Sequence, residues 1–268
     1  MGKAMRRIVK FICEGVTLAG TLDESNADTG LMIVSGGNEI RIGAHRGMAQ
    51  LALDIAAKGY PVFRFDRRGI GDSEGDNGGF ESSGPDIQAA LEAFRLGCPH
   101  LTRIVAFGNC DAATALILHN ANVERLVIAN PWLIESVDDL PPPAAIKHRY
   151  ARRLRDRGAW FALFTGKINL RNAAKGLSRV FAPKAHIKGL AFRVATALAN
   201  DSKPTTILLA SGDNTAIAFA DAWKGTDFER SRHRVDVTVI PIDSASHSFA
   251  RDTDYAKLVD TLMNVLAQ

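Results

Sequence analysis

The sequence predicts an α/β fold in which helices cover both faces of a mostly parallel central sheet and a helical cap insertion interrupts the chain. Short apolar runs, typical of buried strands, alternate with segments of helical periodicity up to residue 131. The alternation stops over residues 132–204 and resumes with the apolar run 205–210. We therefore expect a core of residues 1–131 and 205–268, with residues 132–204 as a helical cap over the carboxyl ends of the strands.

The individual elements follow from local patterns along the chain. Residues 7–23 contain two strand-like runs that meet near Glu14 and Gly15, which is typical of a hairpin at a sheet edge. Apolar runs predict the later strands, at 31–34, 62–65, 104–107, 125–130, 205–210 and 235–240. Apolar residues at helical spacing predict the helices, at 44–58, 83–94, 111–120 and 253–266.

The predicted cap carries most of an uneven charge distribution. Residues 147–193 contain thirteen Lys and Arg but a single acidic residue, Asp156, so this basic segment has a net charge of +12. The whole chain carries only +4, which leaves −8 on the remainder. Aromatic residues are interleaved with the charges, at Trp160, Phe161, Phe164, Phe181 and Phe192. The segment is either a binding surface for an anionic partner or a solvated cationic face.

Composition excludes several classes of protein. The 268 residues are 46% hydrophobic and 23% charged, as in a globular chain with a sizeable core. The sequence contains neither an apolar run long enough for a membrane span nor a segment typical of an export signal. Three cysteines (Cys13, Cys98 and Cys110) therefore suggest reduced thiols in a cytoplasmic protein. We expect no metal, no cofactor and no nucleic-acid partner, and the oligomeric state stays open.

The stretch around Cys110 carries the first chemical signal. The apolar strand 104–107 ends in Gly108-Asn109-Cys110-Asp111-Ala112, and a helical pattern follows at once. A strand that turns sharply into a helix around one reactive side chain is the nucleophile elbow, G-x-S-x-G. Here the central residue is cysteine, and alanine replaces the last glycine. Gly108 and Ala112 are both small, as a tight turn requires. The alternative is a buried structural cysteine.

Two further residues complete a candidate triad with Cys110. Asp213 directly follows the strand 205–210, and His247 lies between the last strand and the last helix. The carboxyl ends of parallel strands meet at one edge of the sheet, so these side chains are expected to converge. His247 would take the proton from Cys110 and later deliver it to the leaving group, while Asp213 would orient the imidazole.

An acyl-transfer reaction also needs donors for the developing oxyanion. One predicted donor is the backbone N–H of Asp111, the residue after the nucleophile. The other is expected from the loop Ser35-Gly36-Gly37-Asn38, which follows the strand 31–34, with Gly37 or Asn38 as the donor. The alternative interpretation of this loop is an ordinary turn.

With these residues assembled, the sequence resembles the α/β-hydrolase superfamily. The loop DRRGIGDS, residues 66–73, is similar to the D-x-R-G-x-G-x-S loop of that superfamily. More closely, the sequence resembles the exosortase A system-associated hydrolase 1 group, through SGGNEIRIGAHRGMAQLA, GYPVFRFDRRGIGDSEG and FGNCDAA. The resemblance implies an α/β-hydrolase fold and a bacterial cytoplasmic enzyme encoded near exopolysaccharide and protein-sorting genes. Cysteine in place of the usual serine is a departure that dienelactone hydrolases share.

These observations predict a cysteine-dependent acyl hydrolase, an esterase or thioesterase that forms a thioester intermediate on Cys110. The substrate is expected to be a small-molecule or carrier-linked acyl compound, and the basic segment favours an anionic one. Two alternatives stay open. The chain could be an acyltransferase that passes the acyl group to a saccharide or peptide, or a binding module on a hydrolase scaffold without activity.

Overall fold

The computed structural model describes residues 5–134 and 189–268. Within these residues, eight strands form one sheet in the order β1-β2-β4-β3-β5-β6-β7-β8. The strands are β1 (Arg6–Cys13), β2 (Val16–Asp23), β3 (Thr29–Val34), β4 (Val62–Phe65), β5 (Arg103–Asn109), β6 (Arg125–Ala129), β7 (Thr205–Ala210) and β8 (Val237–Ile242). The β1–β2 and β2–β4 pairs are antiparallel and the remaining pairs are parallel, which confirms the mostly parallel sheet and the edge hairpin.

Helices cover both faces of this sheet, as predicted. The helices of the described part are α1 (Gly47–Ala57), α2 (Gly84–Gly97), α3 (Asp111–Leu118), α4 (Leu190–Asn200), α5 (Asn214–Trp223), α6 (Glu229–Arg232) and α7 (Asp252–Leu266). Buried side chains of α2, α3, α4 and α5 form one apolar cluster, and those of α1 and α7 form a second. Successive residues of β3 alternate between the clusters: Met32 belongs to the first and Ile33 to the second. The sheet therefore separates two hydrophobic layers.

The last strand and helices α5 and α6 differ from the sequence prediction, which contained neither helix. The last strand is Val237–Ile242 rather than 235–240, and Val235 is fully exposed. The guanidinium of Arg234 donates to the carbonyls of Leu198 and Lys203 and pairs with Asp236, so this stretch is anchored before the strand begins. Helix α5 was not predicted at all, although its first turn has a capping signal in Asp213.

The end of the predicted cap segment contributes to the core. Helix α4 falls inside the range 132–204, and its residues Leu190, Val194 and Leu198 are buried in the first apolar cluster. Arg193, the last residue of the basic segment, pairs with Glu81 at 2.8 Å. Residues 135–188, which make up most of the predicted cap, lie outside the described residues, so the domain division stays a prediction. No helix of the described part is long and apolar enough to cross a membrane.

Asp66 fixes two loops that lie at the carboxyl edge of the sheet. It follows β4 directly and is completely buried. Its carboxylate accepts hydrogen bonds from the backbone N–H of Arg41 at 2.5 Å, from the Arg41 guanidinium, and from the N–H of Asp72 at 3.1 Å. The carbonyl of Asp66 accepts a bond from the Ser73 hydroxyl at 2.7 Å. Asp66 therefore ties the loop after β3, which contains the predicted oxyanion donors, to the loop after β4.

Replacing Asp66 with asparagine is expected to lower the free energy of unfolding by about 3 kcal/mol, because the buried Arg41 guanidinium loses its buried counterion. Chemical denaturation measures the change. The exposed Asp227→Asn variant is the matched control and should stay within about 0.5 kcal/mol of wild type. Equal stabilities of the two variants would contradict this account of the loops.

Candidate active site

Cys110 lies at a sharp turn between β5 and α3, as the elbow pattern predicts. Its backbone has φ 63° and ψ −128°, a conformation that L-residues rarely adopt. The turn is possible because Gly108 has no side chain: a Cβ there would lie 2.8 Å from the carbonyl carbon of Ala112. Gly36 is required for the same reason, since its Cβ would lie 2.5 Å from the carbonyl oxygen of Asn109. Two glycines thus let the chain close around the thiol.

The elbow is also hydrogen-bonded to the end of strand β6 and to the residues that follow it. The N–H of Cys110 donates to the carbonyl of Ala129 at 2.9 Å, and the carbonyl of Cys110 accepts from the N–H of Trp132 at 3.2 Å. The hydroxyl of Thr114, one turn into α3, donates to the carbonyl of Trp132 at 2.7 Å. Both the N–H and the carbonyl of Cys110 are therefore hydrogen-bonded, which fixes the backbone from which the thiol projects.

The structure brings Cys110, Asp213 and His247 together at the carboxyl edge of the sheet. Asp213 caps helix α5, where one carboxylate oxygen accepts the N–H of Ala216 at 3.0 Å. The other oxygen lies 3.1 Å from Nδ1 of His247. The side chain of Cys110 lies close enough to the same imidazole to raise its pKa. The three side chains are therefore neighbours in the order Asp213, His247, Cys110.

Electrostatics of this series favour a charged imidazole. The hydrogen bonds with Asp213 and then with Cys110 raise the pKa of His247 to about 10, although burial opposes the shift. For Asp213, burial acts to raise the pKa of the carboxyl. The hydrogen bonds from His247 and from the N–H of Ala216 outweigh burial, so the pKa of Asp213 is lowered. An imidazolium beside a carboxylate on one side can stabilise a negative sulfur on the other.

Two buried asparagines, which the sequence reasoning missed, hold the backbone of His247. The side-chain amides of Asn109 and Asn130 each donate to the carbonyl of His247, both at 3.1 Å. Asn130 also donates to Oδ1 of Asn109 at 3.0 Å and accepts the N–H of Ala210 at 2.9 Å. A signal was present in the sequence, because each asparagine is a polar residue at the end of an apolar strand run.

The predicted oxyanion donors are close to the elbow, but one of them is engaged. The N–H of Gly37 donates to a carboxylate oxygen of Asp111 at 2.5 Å. The other oxygen of Asp111 lies 3.6 Å from the buried guanidinium of Arg67, which also donates to the carbonyl of Gly37. The side chain of Asn38 is exposed and accepts from Asn77 at 2.9 Å. Asp111 thus presents a carboxylate to the loop that is expected to stabilise negative charge.

No group of three His, Cys, Asp or Glu among residues 5–134 and 189–268 is arranged to hold a metal ion. The other two cysteines are buried. Burial and a hydrogen bond with Asp86 raise the pKa of Cys13 to about 11, and burial also raises the pKa of Cys98. In contrast, Cys110 is partly exposed.

Comparison with known proteins identifies the family of the chain. Residues 43–261 match the family described as "Alpha/beta hydrolase family". No curated protein gives a significant match. The chain is similar to a solved esterase of Pyrococcus furiosus, with a TM-score of 0.68 and 19% identity over 98% of this chain and 91% of that chain.

Other solved structures share the same fold. The structure of DcsB in complex with its substrate analogue has a TM-score of 0.64 and 14% identity, covering 98% of both chains. A hydrolase from Pseudomonas aeruginosa PA01 has a TM-score of 0.59 and 20% identity, covering 98% of this chain and 99% of that chain. At such low identity, the similarity shows the fold alone.

The raised pKa of His247 predicts a pH-dependent contribution to stability. A pKa that is higher in the folded state stabilises the protein fully below the ordinary value of 6.5, and the contribution is lost as the pH rises through about 10. The difference in unfolding free energy between wild type and His247→Gln should therefore shrink over this range, measured by urea denaturation at several pH values. When both proteins also carry Asp213→Asn, the difference in unfolding free energy between them should shrink less over the same pH range. A difference that grows with pH would contradict the pairing.

Proposed function

The chain belongs to the alpha/beta hydrolase family, and from this premise we propose that it is an acyl hydrolase, an esterase or thioesterase, with Cys110 as the nucleophile. The observation that carries the proposal is the placement of His247 between Asp213, 3.1 Å from its Nδ1, and Cys110 at the turn between β5 and α3. A nucleophile, a base within hydrogen-bond reach and a third group that orients the base are the parts that covalent acyl transfer needs. The similarity to a solved esterase supports the ester-cleaving class.

The proposed reaction proceeds in two steps. The thiol proton of Cys110 passes to His247, and the thiolate attacks the carbonyl carbon of the substrate. The resulting tetrahedral intermediate expels the alcohol or thiol, which takes that proton from His247. This leaves a thioester on Cys110. In the second step His247 removes a proton from water, the hydroxide attacks the thioester, and the carboxylic acid leaves as the sulfur is released. Asp213 keeps the imidazole oriented through Nδ1 in both steps.

The N-terminus of α3 contributes to the same chemistry. Cys110 is the residue immediately before the helix, at the end where the first N–H groups of a helix have no partner within it. In the proposed mechanism the N–H of Asp111 is one donor to the oxyanion, and the N–H of Gly37 or Asn38 is the other. These donors matter more in the tetrahedral intermediate than in the substrate, because full negative charge develops only there.

An anionic or carrier-linked acyl group is the proposed substrate class. It rests on the net charge of +12 over residues 147–193 in a chain whose remaining residues are net acidic. A cytoplasmic role in exopolysaccharide- or exosortase-linked metabolism is the further part of the proposal that rests on the sequence resemblance. Transfer of the acyl group to a saccharide or peptide uses the same thioester, so product analysis with and without added acceptor separates hydrolysis from transfer.

Replacing Cys110 with alanine is expected to lower the turnover of p-nitrophenyl acyl esters and acyl thioesters by about a thousandfold or more, because the covalent route is lost. Intact-mass measurement of wild type during turnover should show an acyl adduct that Cys110→Ala lacks. The matched control, Cys98→Ala, removes a thiol outside the triad and should keep both the activity and the adduct. Equal turnover by wild type and Cys110→Ala would refute the proposal.

Replacing Asp111 with alanine is expected to raise kcat about tenfold, because the N–H of Gly37 no longer has a competing carboxylate in the resting enzyme. KM should change little, since the oxyanion forms after binding. Steady-state kinetics on the same esters measures the effect. As a control, Glu39→Ala removes an acidic group from the same loop that is not bonded to Gly37. A loss of kcat in a folded Asp111→Ala protein would mean that the carboxylate is needed to position the loop.

A further inference from the structure

We propose that Asn130, acting with Asn109, is a positioning residue that sets the place of His247 relative to Cys110. The inference rests on the proposed function, because it concerns the proposed triad. The hydrogen bonds of the Asn130 side chain go to groups other than the three reacting side chains. Its carboxamide contacts the backbone of two elements that carry them, through the carbonyl of His247 and the N–H of Ala210.

The orientation of both carboxamides follows from backbone groups whose roles are fixed. The N–H of Ala210 can only donate, so the side-chain oxygen of Asn130 must face it, at 2.9 Å. The side-chain nitrogen of Asn130 then faces the carbonyl of His247 and Oδ1 of Asn109. The carbonyl of His247 can only accept, so the nitrogen of Asn109 must face it as well. Each polar atom therefore has a partner, and reversing either amide would break at least two bonds.

The position of this network in the fold explains why it matters for the triad. Asn109 immediately precedes Cys110, and Ala210 ends β7 three residues before Asp213. The third partner is the backbone of His247 itself. Asn130, at the end of β6, thus lies between the two strands that carry the nucleophile and the acid, and it also binds the loop that carries the base. A single carboxamide links all three members of the triad through backbone groups or a neighbouring side chain.

The loop that carries His247 depends on such an anchor. The side chain of His247 is 39% exposed, so packing alone does not immobilise the ring. Its carbonyl receives two amide donors, which is the full capacity of a carbonyl oxygen. On the other side of the loop, Phe249 is buried in the second apolar cluster with φ 54°. Loss of the amide donors would free the backbone at His247, while Phe249 would stay packed in the second apolar cluster.

The choice of asparagine at position 130 also reflects its backbone. Asn130 is completely buried and has φ 45°, a left-handed conformation that asparagine tolerates better than most residues. An apolar side chain of similar size would leave the carbonyl of His247 with one donor fewer and the N–H of Ala210 without its acceptor. A side chain that only filled the space at position 130 would need neither the donor nor the acceptor that asparagine provides.

The decisive variant is Asn130→Asp. It keeps the shape, the tolerance for a left-handed backbone and the oxygen that accepts from Ala210, but it places an oxygen against the carbonyl of His247. We expect kcat to fall about a hundredfold, as for a reacting group displaced by about an ångström, with KM little changed. The control is Asn120→Asp, because Asn120 has the same φ of 45° but is exposed at the end of α3. The control should retain the wild-type kcat.

Alkylation of Cys110 gives a second readout that needs no substrate. The raised pKa of His247 keeps its imidazole charged at about pH 6, where it can stabilise the attacking sulfur, so wild type should be labelled by iodoacetamide at that pH. In Asn130→Asp the rate at about pH 6 should fall about tenfold, while the rate at about pH 9 stays near that of wild type. A change confined to low pH reports a displaced imidazole. General destabilisation would instead raise the labelling of the buried Cys13 and Cys98.

A second variant keeps the test decisive if Asn130→Asp fails to fold. Asn109→Ala removes one of the two donors to His247, and we expect about a tenfold loss in kcat and a smaller loss of labelling at low pH. If wild type hydrolyses no ester, the proposed function fails, but the labelling profiles still decide whether the asparagines position His247. Wild-type kinetics and wild-type labelling in a folded Asn130→Asp or Asn109→Ala protein would overturn the inference.

Discussion

The sharp turn that holds Cys110 at φ 63° is the constraint on which the candidate site depends. A strand can pass into a helix within one residue only if neighbouring chain segments approach very closely. Gly108 and Gly36 allow that approach, since a side chain at either position would collide with backbone atoms. The strain is held in place by hydrogen bonds from both backbone groups of Cys110 to β6 and the residues that follow it. The thiol is therefore presented at the edge of the sheet rather than buried within it.

Buried charges position the loops around this turn. Asp66 and Arg41 form an ion pair in which both partners are nearly or completely buried, and Asp66 also binds two backbone N–H groups. Nearby, Asp23 and Arg64 lie 3.7 Å apart, and burial lowers the pKa of Arg64 to about 10. Such pairs contribute little more stability than well-packed apolar residues would, because desolvation offsets much of the attraction, although removing one partner alone is costly. Their directional bonds nevertheless restrict each loop to one arrangement, which a catalytic site requires more than an apolar core does.

The family and the solved structures explain the scaffold, while the chemistry must come from particular residues. Identities of 14–20% leave room for a different nucleophile and a different substrate on one sheet. Two features give this site its own character. Sulfur replaces the usual oxygen of the elbow motif, and Asp111 places a carboxylate against the loop opposite it. In the proposed mechanism, the first favours a reactive thioester, and the second alters the charge that the oxyanion would meet.

Local pattern was enough to predict the sheet, its edge hairpin, the elbow and the three triad candidates. Each of these depends on apolar periodicity, or on a polar residue placed directly after an apolar run, and both properties are contained in short stretches of sequence. Helix α5 was missed, although Asp213 followed by apolar residues at helical spacing is a local signal. The late start of β8 was missed because Arg234 bonds to residues far along the chain.

Only the tertiary structure decided how the site is completed. The contact of Gly37 with Asp111 joins residues 74 positions apart, and the bond from Asn109 to His247 spans 138 positions. No periodicity encodes such contacts, because they form only when the strands are ordered side by side. The sequence determined which side chains would reach the carboxyl edge of the sheet. The packing of the strands determined which donors meet which acceptors there, since hydrogen bonds depend on distances that only the assembled sheet sets.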